Sequence, residues 1–98
     1  MNTDELIAIE RYCTHEGLEL TFVEALGERG LVRIITVEQH RYLEPGQLPR
    51  VERLARLYYD LDINLEGLEA ISHMLERMED LQARMRSMEE RLRLYEGG

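Results

Sequence analysis

The chain has 98 residues, 44% of them hydrophobic, which is enough for one small domain with a marginal core and one extended helix. Its 20 acidic residues outnumber the 12 basic ones, all of them arginine, and the net charge of −8 opposes binding to duplex DNA. No apolar run approaches the ~18 residues of a membrane span, and the N-terminus lacks the pattern of a secretory signal. The single Cys13 is expected to be a buried side chain in a reducing compartment, and together these features predict a cytoplasmic protein.

Two short helices joined by a tight turn are predicted at the start of the chain. The first covers Ile9–Glu16 and stops at Gly17, and the second covers Leu20–Glu28 and stops at Gly30, because glycine readily ends a helix in a left-handed conformation. The apolar side chains at helical spacing are Ile9, Tyr12 and Cys13 in the first helix and Phe22, Val23 and Leu26 in the second. This arrangement predicts a helix-turn-helix.

A small β-hairpin and a third helix are predicted next. Residues 31–37 are rich in β-branched side chains, residues 38–40 can turn the chain, and residues 41–43 can return beside the first strand, in the position of a wing. Residues 44–46 break this pattern, and a helix is predicted over about residues 48–61. The side chains that it is expected to bury are Leu48, Val51, Leu54, Ala55, Tyr58 and Leu61.

The last third of the chain predicts a long helix whose start is marked by three signals. Asn64 is a favoured N-cap, Glu66 lies in the first turn where the helix dipole stabilises a carboxylate, and Ile63 and Leu68 occupy the positions of a hydrophobic staple. We therefore divide the chain into a winged helix-turn-helix domain, residues 1–62, and a C-terminal dimerisation helix, residues 63–98.

Four consecutive heptads follow in this helix, and all eight a and d positions are apolar. The residues of this seam are Ile71, Met78, Met85 and Leu92 at a and Met74, Leu81, Met88 and Tyr95 at d. A helix of ~30 residues is roughly 45 Å long, so a small core cannot cover it. The seam predicts a coiled-coil homodimer, and the alternative is an intramolecular core.

The charges beside the seam leave the orientation of the two helices open. In a parallel dimer Arg84 would face the partner subunit's Glu89, whereas an antiparallel dimer would tend to bring arginines together. Each exposed pair is worth well under ~1 kcal/mol, so packing elsewhere can override this preference.

No pattern of catalytic, metal-binding or nucleotide-binding residues occurs in the sequence. His15, His40 and His73 are isolated and are expected at the surface, and the glycines form neither GxGxxG nor a P-loop. Carboxylate pairs such as Glu89 and Glu90 are explained by a solvated helix face. We therefore expect a protein that is not an enzyme and has no cofactor or metal.

The order of these elements resembles that of the MerR-like winged helix family, which also continues into a dimerising helix. Gly17 with Leu18, and Gly30 with Leu31, match the glycine after helix 1 and the Gly-Leu pair after the recognition helix. MerR-type regulators usually carry Arg and Tyr in the recognition helix, whereas residues 20–25 here are Leu, Thr, Phe, Val, Glu and Ala.

A narrower resemblance is to the CbpM-type chaperone modulators. Residues 53–71 resemble the characteristic run of that family, and they read RLARLYYDLDINLEGLEAI. The resemblance implies binding to the J-domain of a DnaJ-type co-chaperone called CbpA, and restraint of both its work with the Hsp70 chaperone DnaK and its binding to DNA. It carries over no individual interface residues.

The charges of the first two helices agree with a basic protein partner. The expected partner-binding residues are Glu16, Glu19, Glu24 and Glu28, which would cover the basic helix of a J-domain. The simpler explanation is that these glutamates only keep the protein soluble.

Two other functions remain open. One is a MerR-type DNA-binding regulator. Its candidate phosphate contacts are Arg33 and Arg41 on the hairpin and Arg50, Arg53 and Arg56 on the third helix. These are few basic residues for binding to duplex DNA, because each neutralised phosphate contributes to affinity. The other is a scaffold subunit defined only by its coiled coil.

Overall fold

The computed structural model describes residues 5–97, and it confirms a mainly α-helical winged helix-turn-helix with a long C-terminal helix. The elements in chain order are β1 Ile7–Ala8, α1 Ile9–Glu16, α2 Leu20–Glu28, β2 Ile34–Val37, β3 His40–Leu43, a 3-10 turn Pro45–Gln47, α3 Leu48–Ala55, a π-helical turn Arg56–Asp60, and α4 Leu65–Tyr95.

Helices α1 and α2 have the predicted bounds, and glycine accounts for where each one ends. Gly17 has a φ of 68° and its backbone N–H donates to the carbonyl of Cys13, while Gly30 has a φ of 73° just beyond α2. These left-handed conformations strain residues with a side chain, so the two glycines set the turn between the helices and the exit toward the wing.

The wing is a three-stranded antiparallel sheet in the order β1-β3-β2, with Leu43 of β3 opposite both Ile7 and Ile34. The predicted first strand began at Leu31, whereas β2 begins at Ile34, because the N–H groups of Leu31 and Val32 donate to the carbonyl of Leu26 and close the end of α2. The two-residue β1 was not predicted.

The core lies where α1, α2, α3, the wing and the first turns of α4 meet. Its buried apolar residues are Ile9, Tyr12, Cys13, Phe22, Val23, Leu26, Leu31, Val32, Leu43, Val51, Leu54, Ala55 and Leu68. The predicted burial of Leu61 was wrong: its side chain is 64% exposed, because the π-helical turn Arg56–Asp60 interrupts the α-helical spacing on which that prediction depended.

Helix α4 begins as predicted and then leaves the core. The Asn64 side chain accepts a hydrogen bond from the N–H of Gly67 at 2.8 Å, and Leu68 and Ser72 are buried against the domain. Its 31 residues span about 46 Å, in a molecule whose longest extent is 56 Å. The division of the chain at residues 62 and 63 stays a prediction.

Candidate protein-binding surface

The four glutamates of the predicted partner-binding set lie along α1 and α2 but do not form one cluster. Glu16 ends α1, Glu19 immediately precedes α2, and Glu28 ends α2; all three are exposed. Because the nine residues of α2 span about 13 Å, Glu19 and Glu28 lie at opposite ends of that helix. Glu24, in the middle, is half-buried, and its Oε2 lies 3.0 Å from Nη1 of Arg41 on β3.

The Glu19 end of α2 is fixed by an aromatic cluster, which is defined by Phe22, Tyr58 and Tyr59. The ring centroid of Phe22 lies 4.5 Å from that of Tyr58 and 5.2 Å from that of Tyr59. The hydroxyl of Tyr59 accepts a hydrogen bond from the N–H of Glu19 at 3.2 Å. Tyr59 is nevertheless 39% exposed, close in sequence to the exposed Leu61. The sequence did not predict this exposed apolar pair, because an unbroken α-helix would have buried Leu61.

An open cleft of about 340 Å³ lies between α1 and α3, close to Glu16. Its lining residues are Tyr12, Glu16, Leu18, Glu52, Ala55 and Arg56. Tyr12 is only 7% exposed, and its hydroxyl has no hydrogen-bond partner among residues 5–97. Burial raises the pKa of Tyr12, and the nearby carboxylates of Glu52 and Glu16 raise that pKa further, so the phenol is protonated at neutral pH.

Most of the arginines considered for DNA binding are engaged with other groups of the same chain. Arg33 lies 3.4 Å from Glu44, and Arg41 pairs with Glu24. The side chain of Arg50 donates to a backbone carbonyl at 2.6 Å and lies 3.3 Å from a carboxylate oxygen of α4.

The remaining arginines near the helix-turn-helix differ among themselves. Arg11 on α1, Arg53 and Arg56 are exposed and form no ion pair within the described part of the chain. Arg29, just beyond α2, contacts Glu66 and Glu69 at the start of α4. The wing and the end of α2 therefore present little uncompensated positive charge.

The seam of α4 is exposed along nearly its whole length. Ile71 is half-buried near the core, and the other seam residues are between 52% and 89% exposed: Met74, Met78, Leu81, Met85, Met88, Leu92 and Tyr95. A large exposed apolar stripe of this kind marks an interaction surface. Beside it, Arg84 pairs within the helix with Asp80 at 3.1 Å.

The predictions for the isolated histidines and the cysteine are confirmed. His15, His40 and His73 are all exposed, and Cys13 is buried. Within residues 5–97, no three histidine, cysteine or acidic side chains come close enough together to hold a metal ion. Over the same residues, every helix is too short or too polar to cross a membrane.

Comparison with known proteins identifies the family. Searches among curated proteins and among solved structures each found no match. A family profile described as MerR HTH family regulatory protein matches residues 7–90, from β1 through most of α4. Proteins of this MerR-like regulatory family are typically non-enzymatic. Since the match covers the helix-turn-helix, the wing and most of the seam, the chain belongs to the MerR HTH family of regulatory proteins.

Proposed function

We propose that this chain is a non-enzymatic chaperone modulator of the CbpM type, which binds the J-domain of a CbpA/DnaJ-type co-chaperone. By covering the basic helix of the J-domain it restrains the work of the co-chaperone with Hsp70 (DnaK), and it also restrains its DNA binding. The observation that carries the proposal is the charge of the recognition helix: α2 contains no basic residue and carries Glu24 and Glu28.

The electrostatics favour a basic protein over DNA as the partner. A winged helix that binds DNA needs arginines or lysines directed at phosphates, and each neutralised phosphate contributes to affinity. On this wing Arg33 and Arg41 are already paired with carboxylates of the same chain. The net charge of −8 attracts a basic J-domain at long range and repels DNA.

A homodimer is part of the proposal, and the exposed seam of α4 supports it. All but one of the seam residues are more than half exposed, and a second copy of the same helix would cover them by knobs-into-holes packing. The alternative, an intramolecular core, has no support from the described residues, since nothing in residues 5–97 buries the seam beyond Ser72.

A calorimetric titration against the purified J-domain of the CbpA-like co-chaperone from the same organism tests the proposal. We expect binding that weakens as salt is raised from ~50 to ~200 mM, because salt screens the attraction between the two charged surfaces. Glu19→Arg combined with Glu28→Arg should weaken binding about tenfold or more. The matched control, Glu79→Arg combined with Glu90→Arg on the outer face of α4, changes the net charge equally and should leave most of the affinity.

The result that would overturn the proposal is the absence of both heat and a complex in gel filtration. Family membership and the exposed Arg53 and Arg56 favour a second candidate, a DNA-binding regulator. That candidate predicts binding to genomic DNA fragments that persists at ~150 mM salt.

A further inference from the structure

The cleft between α1 and α3 combines three acceptors with an apolar wall. Glu16 and Glu52 contribute carboxylates, and Tyr12 contributes a hydroxyl oxygen that has no hydrogen-bond partner among the described residues. Leu18 and Ala55 supply apolar surface beside them. A polar atom this deeply buried is ordinarily hydrogen-bonded, because leaving it without a partner is costly. An unsatisfied tyrosine hydroxyl beside two carboxylates therefore indicates a site for a ligand that donates hydrogen bonds.

The chemistry of the lining selects a cation on an aliphatic stem. A lysine ammonium carries three hydrogen-bond donors and no acceptor, which matches three acceptors, and its methylene chain packs against apolar surface. An anion would be repelled by the two carboxylates. The cleft volume of about 340 Å³ lies at the small end of the roughly 300–1,000 Å³ range of ligand pockets, which suits one side chain better than a large cofactor.

We propose that this cleft receives a lysine side chain of the protein partner, whose ammonium is held by Glu16, Glu52 and the hydroxyl of Tyr12. In taking that partner to be the J-domain, the inference rests on the proposed function. It adds to the predicted acidic set a residue of α3, Glu52, and a buried tyrosine. It also separates the role of Glu16, whose carboxylate lies 3.5 Å from the exposed His15 ring, from that of Glu24, whose carboxylate pairs with Arg41 on β3 at 3.0 Å.

Substitution of Arg56 is expected to change the affinity in the opposite direction from substitution of the acceptors. Its exposed side chain also lines the cleft, and it forms no ion pair within residues 5–97. A guanidinium there repels an incoming ammonium. Removing it with Arg56→Ala should tighten binding, whereas removing an acceptor should weaken binding.

The first experiment needs no J-domain. Nα-acetyl-lysine methylamide is titrated into the ¹⁵N-labelled full chain while amide chemical shifts are followed. We expect saturable shifts at millimolar probe, concentrated at residues that line the cleft, and their loss in Glu52→Gln. Nα-acetyl-arginine methylamide, titrated in parallel, should bind more weakly. Shifts that spread over the acidic surface without saturating, or that are the same in Glu52→Gln, would overturn the proposal.

The second experiment repeats the calorimetric J-domain titration with single variants. Glu52→Gln and Tyr12→Phe should each weaken binding about tenfold, Arg56→Ala should tighten it about twofold to fivefold, and the distant Glu90→Gln should match the wild type. Tyr12→Phe should not lower the melting temperature, because the hydroxyl that it removes makes no hydrogen bond within residues 5–97. If Tyr12→Phe weakens binding without lowering the melting temperature, unfolding of the variant is therefore not the cause.

The two experiments separate the two proposals. A J-domain that binds the wild type and every variant equally leaves the proposed function standing and rejects the cleft. Saturable binding of the lysine probe without any binding of the J-domain rejects the proposed partner and assigns the cleft to another basic protein.

Discussion

Cys13 is a buried thiol in the middle of α1. Because of its environment, the stability of the folded chain is expected to fall at alkaline pH. Burial raises the pKa of Cys13 above its usual 9.0, and the charge of Glu24 raises that pKa further. The folded chain therefore keeps the thiol proton at pH values where the unfolded chain has lost it. Because the unfolded state then binds fewer protons, the free energy of unfolding falls as the pH rises.

We expect urea unfolding at fixed protein concentration to give unchanged stability between pH 7 and about 8, and a decline as the pH rises past 9.0. Cys13→Ala should lower stability at pH 7 through lost packing but should make the alkaline decline shallower. The decline that remains would come from groups such as Tyr12, whose pKa is also raised by burial. An equally steep decline in Cys13→Ala would contradict this assignment.

Among the elements, local sequence signals determined the helices better than the wing. Helices α1 and α2 have the predicted bounds because each has apolar spacing of three to four and is followed by a left-handed glycine. In the wing turn, Glu38 and Gln39 have φ values of 49° and 69°. Glycine or asparagine usually occupies such positions, so the residue types here did not indicate a tight hairpin turn. Strand β1 has two residues and exists only through pairing with β3, which no local pattern specifies.

The contact between α2 and the wing is tight enough to test by adding one methyl group. A Cβ at Gly27 of α2 would overlap Cδ1 of Ile34 on β2 and would lie 3.0 Å from its Cγ1. Alanine gains up to ~1 kcal/mol in helix propensity, but forcing an added methyl into this contact costs about 1–3 kcal/mol. We therefore expect Gly27→Ala to lower the free energy of unfolding by about 1 kcal/mol.

Gly46→Ala is the matched control, because a Cβ there has no neighbour within 4 Å and its φ is not in the left-handed region. Thermal melts of both variants, followed by circular dichroism, provide the measurement. A loss of about 1 kcal/mol corresponds to roughly 4–8 °C in a domain of this size. Equal melting temperatures for the two variants would mean that Ile34 moves aside without cost.

For the molecule as a whole, the sequence predicted the acidic character of the surface but not its arrangement. Glu16, Glu19, Glu24 and Glu28 are close in sequence, yet one is paired with the wing and two lie at opposite ends of α2. The cleft joins Tyr12 and Glu16 to a residue of α3, Glu52. That juxtaposition depends on how the helices pack, so no spacing in the sequence could indicate it.

The exposed seam of α4 predicts the oligomeric state of the protein. We expect sedimentation equilibrium to give twice the 11.6 kDa of one chain, with the seam buried between two copies. Met85→Glu places a charge in the centre of that seam. Burying this charge without a partner is costly, so the dissociation constant of the dimer should increase by about tenfold or more.

Ala83→Glu is the matched control for this change. It adds the same charge two residues away, at heptad position f on the outer face of α4, and should leave the dimer intact. Circular dichroism of each variant checks that the winged helix-turn-helix domain stays folded, since the folded core ends near Ser72 and includes neither position. A wild-type chain that remains monomeric at ~100 μM, or two variants with equal masses, would reject the seam as the dimer contact. Both substitutions add one negative charge to α4 at a position that is exposed in a single chain. If only Met85→Glu dissociates the dimer, the a/d face must therefore be the contact between the two copies.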